Sequence, residues 1–201
     1  MEISEEFSQK LMESTFGTVY DIGFIRSHIE WLINSKYRKY KKLNKFISEQ
    51  VSSPDEVVYK TAQMFSDIDY DKRIVDILRF VRGYTTYITD IEQYGYSEHW
   101  ATAKEVLETK KNDCDGINST IHVLALLSGI PSYLLYSVIG DVRGGGHYWL
   151  IYLSPVTGVL YPIDGTYYYD SSYIPQRREL IGSLYKRMWY IFNDKIIWRP
   201  N

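Results

Sequence analysis

A cysteine, a histidine and an aspartate of this chain stand where predicted elements begin or end. Cys114 opens an apolar segment, His147 opens a strand-like run after three glycines, and Asp164 ends the next such run. A thiolate can attack a carbonyl carbon while an imidazole moves the proton and a carboxylate orients the imidazole. These residue types at these places predict nucleophilic catalysis by a thiol.

The cysteine needs an environment that favours its thiolate. The ordinary pKa of a thiol, about 8.5, is lowered by a helix N-terminus or a nearby imidazolium. Cys114 is predicted to begin a helix, which also leaves its backbone N–H free to bind an oxyanion. Adjacent antiparallel strands would let Asp164 accept a hydrogen bond from one nitrogen of His147, so that the other nitrogen faces the sulfur.

Each of these residues also has an ordinary structural interpretation. A single cysteine beside an apolar helix often packs as a small hydrophobic residue. His147 could be a strand residue at a loop edge, and Asp164 could form a turn. The joint placement of Cys114, His147 and Asp164 at element ends, in a compatible order, favours the catalytic interpretation.

Periodicity predicts the elements that surround these residues. An amphipathic helix is predicted over 71–82 and ends at Gly83, and a short helix over 102–110 is followed by a turn at 111–113. Residues 114–128 are apolar nearly all round, which predicts a buried helix. Strands are predicted over 133–139, 147–153 and 159–163, with a further hairpin from 188–192 and 196–199.

This order of elements predicts an α+β fold, in which an antiparallel sheet packs on the buried nucleophile helix. Residues 1–65 are predicted to be a helical N-terminal extension, with an amphipathic helix over 21–34. Ser52 to Asp55 break that region and signal a new helix start. Residues 66–201 are predicted to be the catalytic domain.

Composition limits the classes of protein and partner. The chain has 201 residues, a net charge of −2 and a pI near 6.1, which gives no reason to expect nucleic acid or a membrane as partner. Its single cysteine cannot form an internal disulfide. The N-terminus lacks a signal-peptide pattern and no apolar run approaches the ~20 residues of a membrane span. A cytoplasmic location is expected, and a place in a larger particle stays open.

No metal or cofactor is expected. His28, His99 and His122 lack the spacing of metal ligands, and there is no phosphate loop or dinucleotide fingerprint. The 20 tyrosines could form a substrate groove or a surface for a protein partner, as could the N-terminal helices, or they could reflect coding bias in an AT-rich genome.

Four motifs resemble the transglutaminase-like superfamily. They are the segment from Glu98 to Gly116 with its Trp, Glu-x-Leu helix and Asp-Cys turn, then Leu126 to Pro131, Gly146-His-Tyr-Trp149, and Pro162-Ile-Asp-Gly-Thr166. The resemblance covers residues 70–168. It implies that Cys114 is the nucleophile, His147 the base and Asp164 the residue that orients the base.

The resemblance also has departures and an open assignment. Asn112 stands where a glycine is usual, and we expect it to accept the left-handed conformation there. Gly165 stands where a proline is common, and the effect is expected to stay at the strand end. The indole N–H of Trp100 is a candidate second oxyanion donor, although Trp100 could equally be a core aromatic.

These observations predict a cysteine-dependent amide-bond hydrolase, such as a peptidase, isopeptidase or amidase, that acts on a protein or peptide substrate through a thioester acyl-enzyme. A transglutaminase would use the same intermediate but let an amine attack it in place of water. In a third interpretation the fold serves as a binding or assembly module. The loop from Tyr167 to Asp170 could line the cleft.

Overall fold

The computed structural model describes residues 41–66, 69–96, 98–167 and 184–200. The helices in these ranges are α1 (Lys41–Ser52), α2 (Glu56–Gln63), α3 (Tyr70–Tyr84), α4 (Asp90–Tyr94), α5 (Ala103–Thr109) and α6 (Cys114–Leu127). The strands are β1 (Thr86–Tyr87), β2 (Lys111–Asn112), β3 (Leu135–Val142), β4 (Gly145–Leu153), β5 (Leu160–Ile163), β6 (Tyr185–Phe192) and β7 (Ile197–Trp198). None of these helices is long and apolar enough to cross a membrane.

Helix α6 lies at the centre of the fold. It contacts α1, α2, α3 and α5 on one side and strands β3 and β4 on the other. Every residue from Asp115 to Ala125 is buried, which agrees with its nearly continuous apolar character. The helix that begins at Cys114 is therefore held from both layers.

The main sheet has five strands in the order β5-β4-β3-β6-β7, and every neighbouring pair is antiparallel. A hairpin at Arg143 and Gly144 joins β3 to β4, since Val142 pairs with Gly145. The strands are longer at this end than the alternation pattern predicts. Helices on one face of an antiparallel sheet make the fold α+β, which confirms the predicted class.

Three local predictions were wrong. The strand predicted from residue 133 begins only at Leu135, because a 3-10 helix at Ser132–Leu134 precedes it. Gly83 lies inside α3, which continues to Tyr84 and is capped by Thr85. Lys111 and Asn112 form strand β2, which pairs in parallel with β1, where a turn was predicted. The chain turns one residue earlier, at Lys110, because Lys110 adopts the left-handed conformation (φ 57°) that ends α5.

The described part of the N-terminal region packs on the core. Ile47 of α1 and Val58 and Ala62 of α2 are buried in the same apolar cluster as α6. Asp55 caps α2 through a hydrogen bond from the N–H of Val57, as the break at residues 52–55 predicts. The predicted helix at 21–34 lies outside the described residues, and the division into two domains stays a prediction.

Candidate active site

Cys114 is the first residue of α6. The side chain of Asp113 caps the helix by accepting a hydrogen bond of 3.2 Å from the backbone N–H of Asp115. Gly116 is required in this first turn, because a Cβ there would lie 1.8 Å from Oδ1 of Asn112. The sulfur therefore projects from a helix start whose backbone is fixed by the preceding strand.

His147 and Asp164 form a buried hydrogen-bonded pair. Nε2 of His147 donates to Oδ2 of Asp164 at 2.8 Å, and the two residues are 5% and 0% exposed. The β4–β5 register pairs Leu150 with Ile163, which puts Asp164 diagonally across the sheet from His147. The strands thus bring together residues that are 17 positions apart in the chain.

Asp164 is held by further donors. The hydroxyl of Tyr185 on β6 donates to its Oδ2 at 3.0 Å, and the backbone N–H groups of Thr166 and Tyr167 donate to Oδ1 at 2.8 and 3.4 Å. Each carboxylate oxygen of Asp164 is therefore satisfied. Sequence analysis missed Tyr185, since only the tertiary structure brings its hydroxyl from β6, which two strands separate from β5, to Asp164.

The sulfur of Cys114 lies next to the histidine-bearing strand. The backbone N–H of Tyr148, the residue after His147, donates a hydrogen bond to it, which lowers the pKa of the thiol. Burial is the larger effect and, with Asp113 and Asp115, raises that pKa. The net direction is opposite to the one that a helix N-terminus alone predicts.

Two tyrosines border the site. The ring of Tyr167 meets the imidazole of His147 edge-on, with 4.8 Å between centroids. Tyr87 of β1 is 52% exposed, and its phenol interacts electrostatically with Cys114 and Tyr167. Residues 168–170 of the loop that was predicted to line a cleft lie outside the described residues.

Trp100 packs near the site with its indole N–H already bonded. Its ring meets Phe46 and Tyr148 edge-on at centroid distances of 5.3 and 5.7 Å. Its Nε1 donates to Oε1 of Glu98 at 2.8 Å. An oxyanion role would require that bond to open, and the role stays a prediction.

The two departures from the family pattern act differently from what was expected. Asn112 lies in strand β2 with ordinary extended backbone, because Lys110 takes the left-handed position. Gly165 does more than end a strand. Its N–H donates to Oδ1 of Asn118 at 2.7 Å, and an added Cβ would lie 2.6 Å from Ile117. A proline at this position would lack that N–H.

A cluster of three carboxylates adjoins Cys114. Asp90, Asp113 and Asp115 each offer an oxygen within 4.8 Å of the others. Oδ1 of Asp90 and Oδ1 of Asp115 are buried and have no hydrogen-bond partner among the described residues. Burial and the charge of Asp90 raise the pKa of Asp113, although hydrogen bonds from Asp115 act in the opposite direction. Burial and the charges of Asp113 and Asp90 raise the pKa of Asp115.

These features fit a hard divalent cation. Buried carboxylate oxygens without donors are costly alone, whereas oxygen ligands of this kind bind Ca²⁺. Part of this cluster could have been predicted from the sequence, since Asp113 and Asp115 flank Cys114 directly. Asp90 lies 23 positions before Asp113, and the fold alone brings it there.

Neither of the described histidines that were set aside as metal ligands, His99 and His122, adds a ring nitrogen to this cluster, although the backbone N–H of His99 donates to Oδ2 of Asp90. His122 is buried in α6 and its Nδ1 shares a hydrogen bond of 2.5 Å with the hydroxyl of Ser137. Nε2 of His99 bonds to Glu105 at 2.9 Å. His28 lies outside the described residues.

Comparisons with known proteins were made by sequence and by structure. No protein-family model matches the sequence, and no curated protein matches it. Two structures of LapG from Legionella pneumophila, one of them EGTA-treated, each superpose with a TM-score of 0.54 at 16% identity. They cover 76% of this chain, and 85% and 83% of LapG respectively.

Weaker matches include a protein proposed to be a cysteine protease from Cytophaga hutchinsonii (TM-score 0.37, 15% identity, 66% of this chain and 39% of that one). A transglutaminase structure matches at a TM-score of 0.41 and 12% identity, over 83% of this chain and 48% of that one. At these TM-scores neither match shows a shared fold. The superposition on LapG shows that this chain shares the fold of that protein, in which helices pack on an antiparallel sheet.

Proposed function

We propose that this chain is a cysteine-dependent amide-bond hydrolase that acts on a protein or peptide through a thioester acyl-enzyme. One observation carries the proposal. The buried His147–Asp164 pair lies beside the sulfur of Cys114, which accepts a hydrogen bond from the backbone N–H of Tyr148, the residue after His147. Nucleophile, base and orienting carboxylate are thus supplied by a helix start and two adjacent strands.

In the first step Nδ1 of His147 takes the thiol proton while the sulfur of Cys114 attacks the carboxamide carbon. Nδ1 is the nitrogen left for this purpose, because Nε2 is bonded to Asp164. The negative charge of Asp164 stabilises the imidazolium that forms. The imidazolium then protonates the departing amine, and His147 activates the water that hydrolyses the thioester.

The oxyanion of the tetrahedral intermediate needs N–H donors. The backbone N–H of Cys114 is suitable, since first-turn N–H groups have no partner within their own helix. Trp100 would be a second donor once its indole N–H leaves Glu98.

A divalent cation belongs to this proposal. Asp90, Asp113 and Asp115 would hold a Ca²⁺-type ion through their carboxylate oxygens. The bound charge would offset the carboxylates that now oppose the thiolate of Cys114. This would account for a reactive cysteine that lies between two acids, the partly buried Asp113 and the buried Asp115.

The test uses iodoacetamide at neutral pH on wild type and His147→Ala, each with calcium or with EGTA. We expect fast alkylation of wild-type Cys114 with calcium and slowing by the mutation. Incubation with a peptide mixture should then yield new amino-termini that are missing with Cys114→Ser. New amine adducts in place of new termini would identify a transglutaminase.

Alkylation that is slow, unaffected by His147→Ala and equal with calcium or EGTA would contradict the proposal. The fold would then serve as a binding module. In that case a stable complex without turnover is the expected finding.

A further inference from the structure

Asn118 is a buried polar residue of α6, four positions after Cys114. Its side chain is 0% exposed. An asparagine amide has two N–H donors and a carbonyl acceptor, and burying them is costly unless they are bonded. The partners of Asn118 therefore define what it holds together.

The amide nitrogen of Asn118 joins the nucleophile to the histidine strand. Nδ2 donates to the backbone carbonyl of Cys114 at 3.0 Å and to that of Tyr148 at 2.7 Å. Tyr148 directly follows His147, and its own N–H bonds to the sulfur. The peptide unit on each side of Tyr148 is thus tied to the first turn of α6.

The same amide reaches the aspartate. Oδ1 of Asn118 accepts the N–H of Gly165, the residue after Asp164, at 2.7 Å. Nδ2 also lies 3.5 Å from Oδ1 of Asp164, at the limit of hydrogen bonding. The helix can approach this closely because Gly165 has no Cβ, which would lie 2.6 Å from Ile117 and 2.8 Å from Ile121 of the same helix.

We propose that Asn118 is a positioning residue that fixes Cys114, His147 and Asp164 relative to one another. It bonds to the backbone of Cys114 itself and to the residue after each of the other two. The His147–Asp164 bond joins only the two strands, whereas Asn118 ties both of them to the helix. The inference rests on the proposed function, because it assigns a role in that chemistry.

The experiment compares three variants by two measurements. Asn118→Ala removes the amide, and Asn118→Asp keeps the size and the acceptor but replaces the donors with a carboxylate beside Asp164. The matched control is Ser119→Ala, since Ser119 is equally buried on α6 but its hydroxyl bonds within the helix, to the carbonyl of Gly116 at 3.3 Å.

The first measurement is the alkylation rate of Cys114 with iodoacetamide. The second is the low-field NMR resonance of the His147 proton that is shared with Asp164, identified by its loss in His147→Gln. We expect both Asn118 variants to slow alkylation roughly 10- to 100-fold, the scale of a small misplacement of reacting groups. We also expect them to shift or broaden the resonance, whereas Ser119→Ala changes neither.

Folding is checked by thermal melting. An Asn118 variant that melts near the Ser119→Ala control yet shows both effects supports the proposal. A folded Asn118 variant with wild-type rate and resonance overturns it. If both Asn118 variants melt far below the control, Asn118 stabilises the fold as a whole, and the positioning role is likewise overturned.

Failure of the proposed function has a different signature. Wild-type Cys114 would then react slowly and independently of His147. The His147 resonance would still report on whether Asn118 positions the strand pair. The two proposals can therefore be rejected separately.

Discussion

The two sides of Cys114 differ in how fully their carboxylates are bonded. On the strand side, Asp164 receives donors on both oxygens from His147, Tyr185 and the backbone. On the helix-start side, Asp90 and Asp115 each keep a buried oxygen without a partner among the described residues. The carboxylate oxygens are thus fully bonded on the strand side, whereas those on the helix-start side could accept further donors or a cation.

This difference separates two tasks. A fully bonded carboxylate holds its histidine in one orientation, which is what proton transfer requires. Burial and the charges of Asp113 and Asp90 raise the pKa of Asp115, and Asp113 and Asp115 oppose a thiolate at Cys114. The reactivity of Cys114 would therefore depend on the fixed orientation of His147 on the strand side and on cation binding by the carboxylates on the helix-start side.

The largest expected effect comes from breaking the strand side. Asp164→Asn keeps the shape but removes the charge that stabilises the imidazolium. We expect hydrolysis to fall about 10²- to 10⁴-fold, measured as the rate of new amino-terminus formation. A rate within a few-fold of wild type would show that Asp164 only stabilises the fold.

The next effect concerns the cation. Calcium in hundredfold excess over its dissociation constant should stabilise the fold by about 2.7 kcal/mol, seen as a higher melting temperature than in EGTA. Because the pKa of Asp115 is raised, cation binding releases a proton, and the apparent affinity should increase with pH. Asp90→Asn should remove most of the stabilisation without touching a residue next to Cys114.

Magnesium serves as the control for that experiment. It demands a stricter octahedral geometry than calcium and dehydrates reluctantly, so a smaller shift in melting temperature is expected. Equal melting in calcium and EGTA would contradict the cation site.

Tyr185→Phe should weaken the strand side more gently. It removes the hydroxyl that donates to Asp164 at 3.0 Å but keeps the ring that packs on Trp149 at a centroid distance of 4.8 Å. Loss of one hydrogen bond to a charged group predicts a decrease in the hydrolysis rate of about tenfold. An unchanged rate would mean that His147 and the backbone hold Asp164 sufficiently.

The smallest expected effect concerns His122 in the core. It provides a reference for how the free energy of unfolding depends on acid pH. Burial lowers the pKa of His122 from 6.5 to about 4, so the unfolded chain binds the proton more readily between these values. The unfolding free energy should therefore fall as pH decreases, by about 1 kcal/mol per pH unit from about pH 6 to 5.

His122→Gln should flatten this slope in denaturant titrations. A slope that persists in the variant would assign the acid sensitivity to other groups. Either result separates acid effects on the core from those on the catalytic residues.

The regular elements could largely be predicted from the sequence. Apolar periodicity located α3 and the buried α6, and Gly-rich turns indicated the antiparallel strands, because these signals depend on residues near in sequence. The strand pair β1–β2 was missed for the opposite reason. Two-residue strands have no periodicity, and their pairing joins residues 25 positions apart, from Thr86 to Lys111.

For the candidate site, the sequence by itself determined the residue types and their order: a cysteine at a helix start, a histidine at a strand start and an aspartate at the next strand end. Only the tertiary structure decided what surrounds them. It placed Asp90 beside Asp113 and Asp115, Tyr185 against Asp164, and Asn118 between the helix and both strands. Spacing along the chain encodes which element carries a residue, but the packing of elements decides which buried polar groups meet.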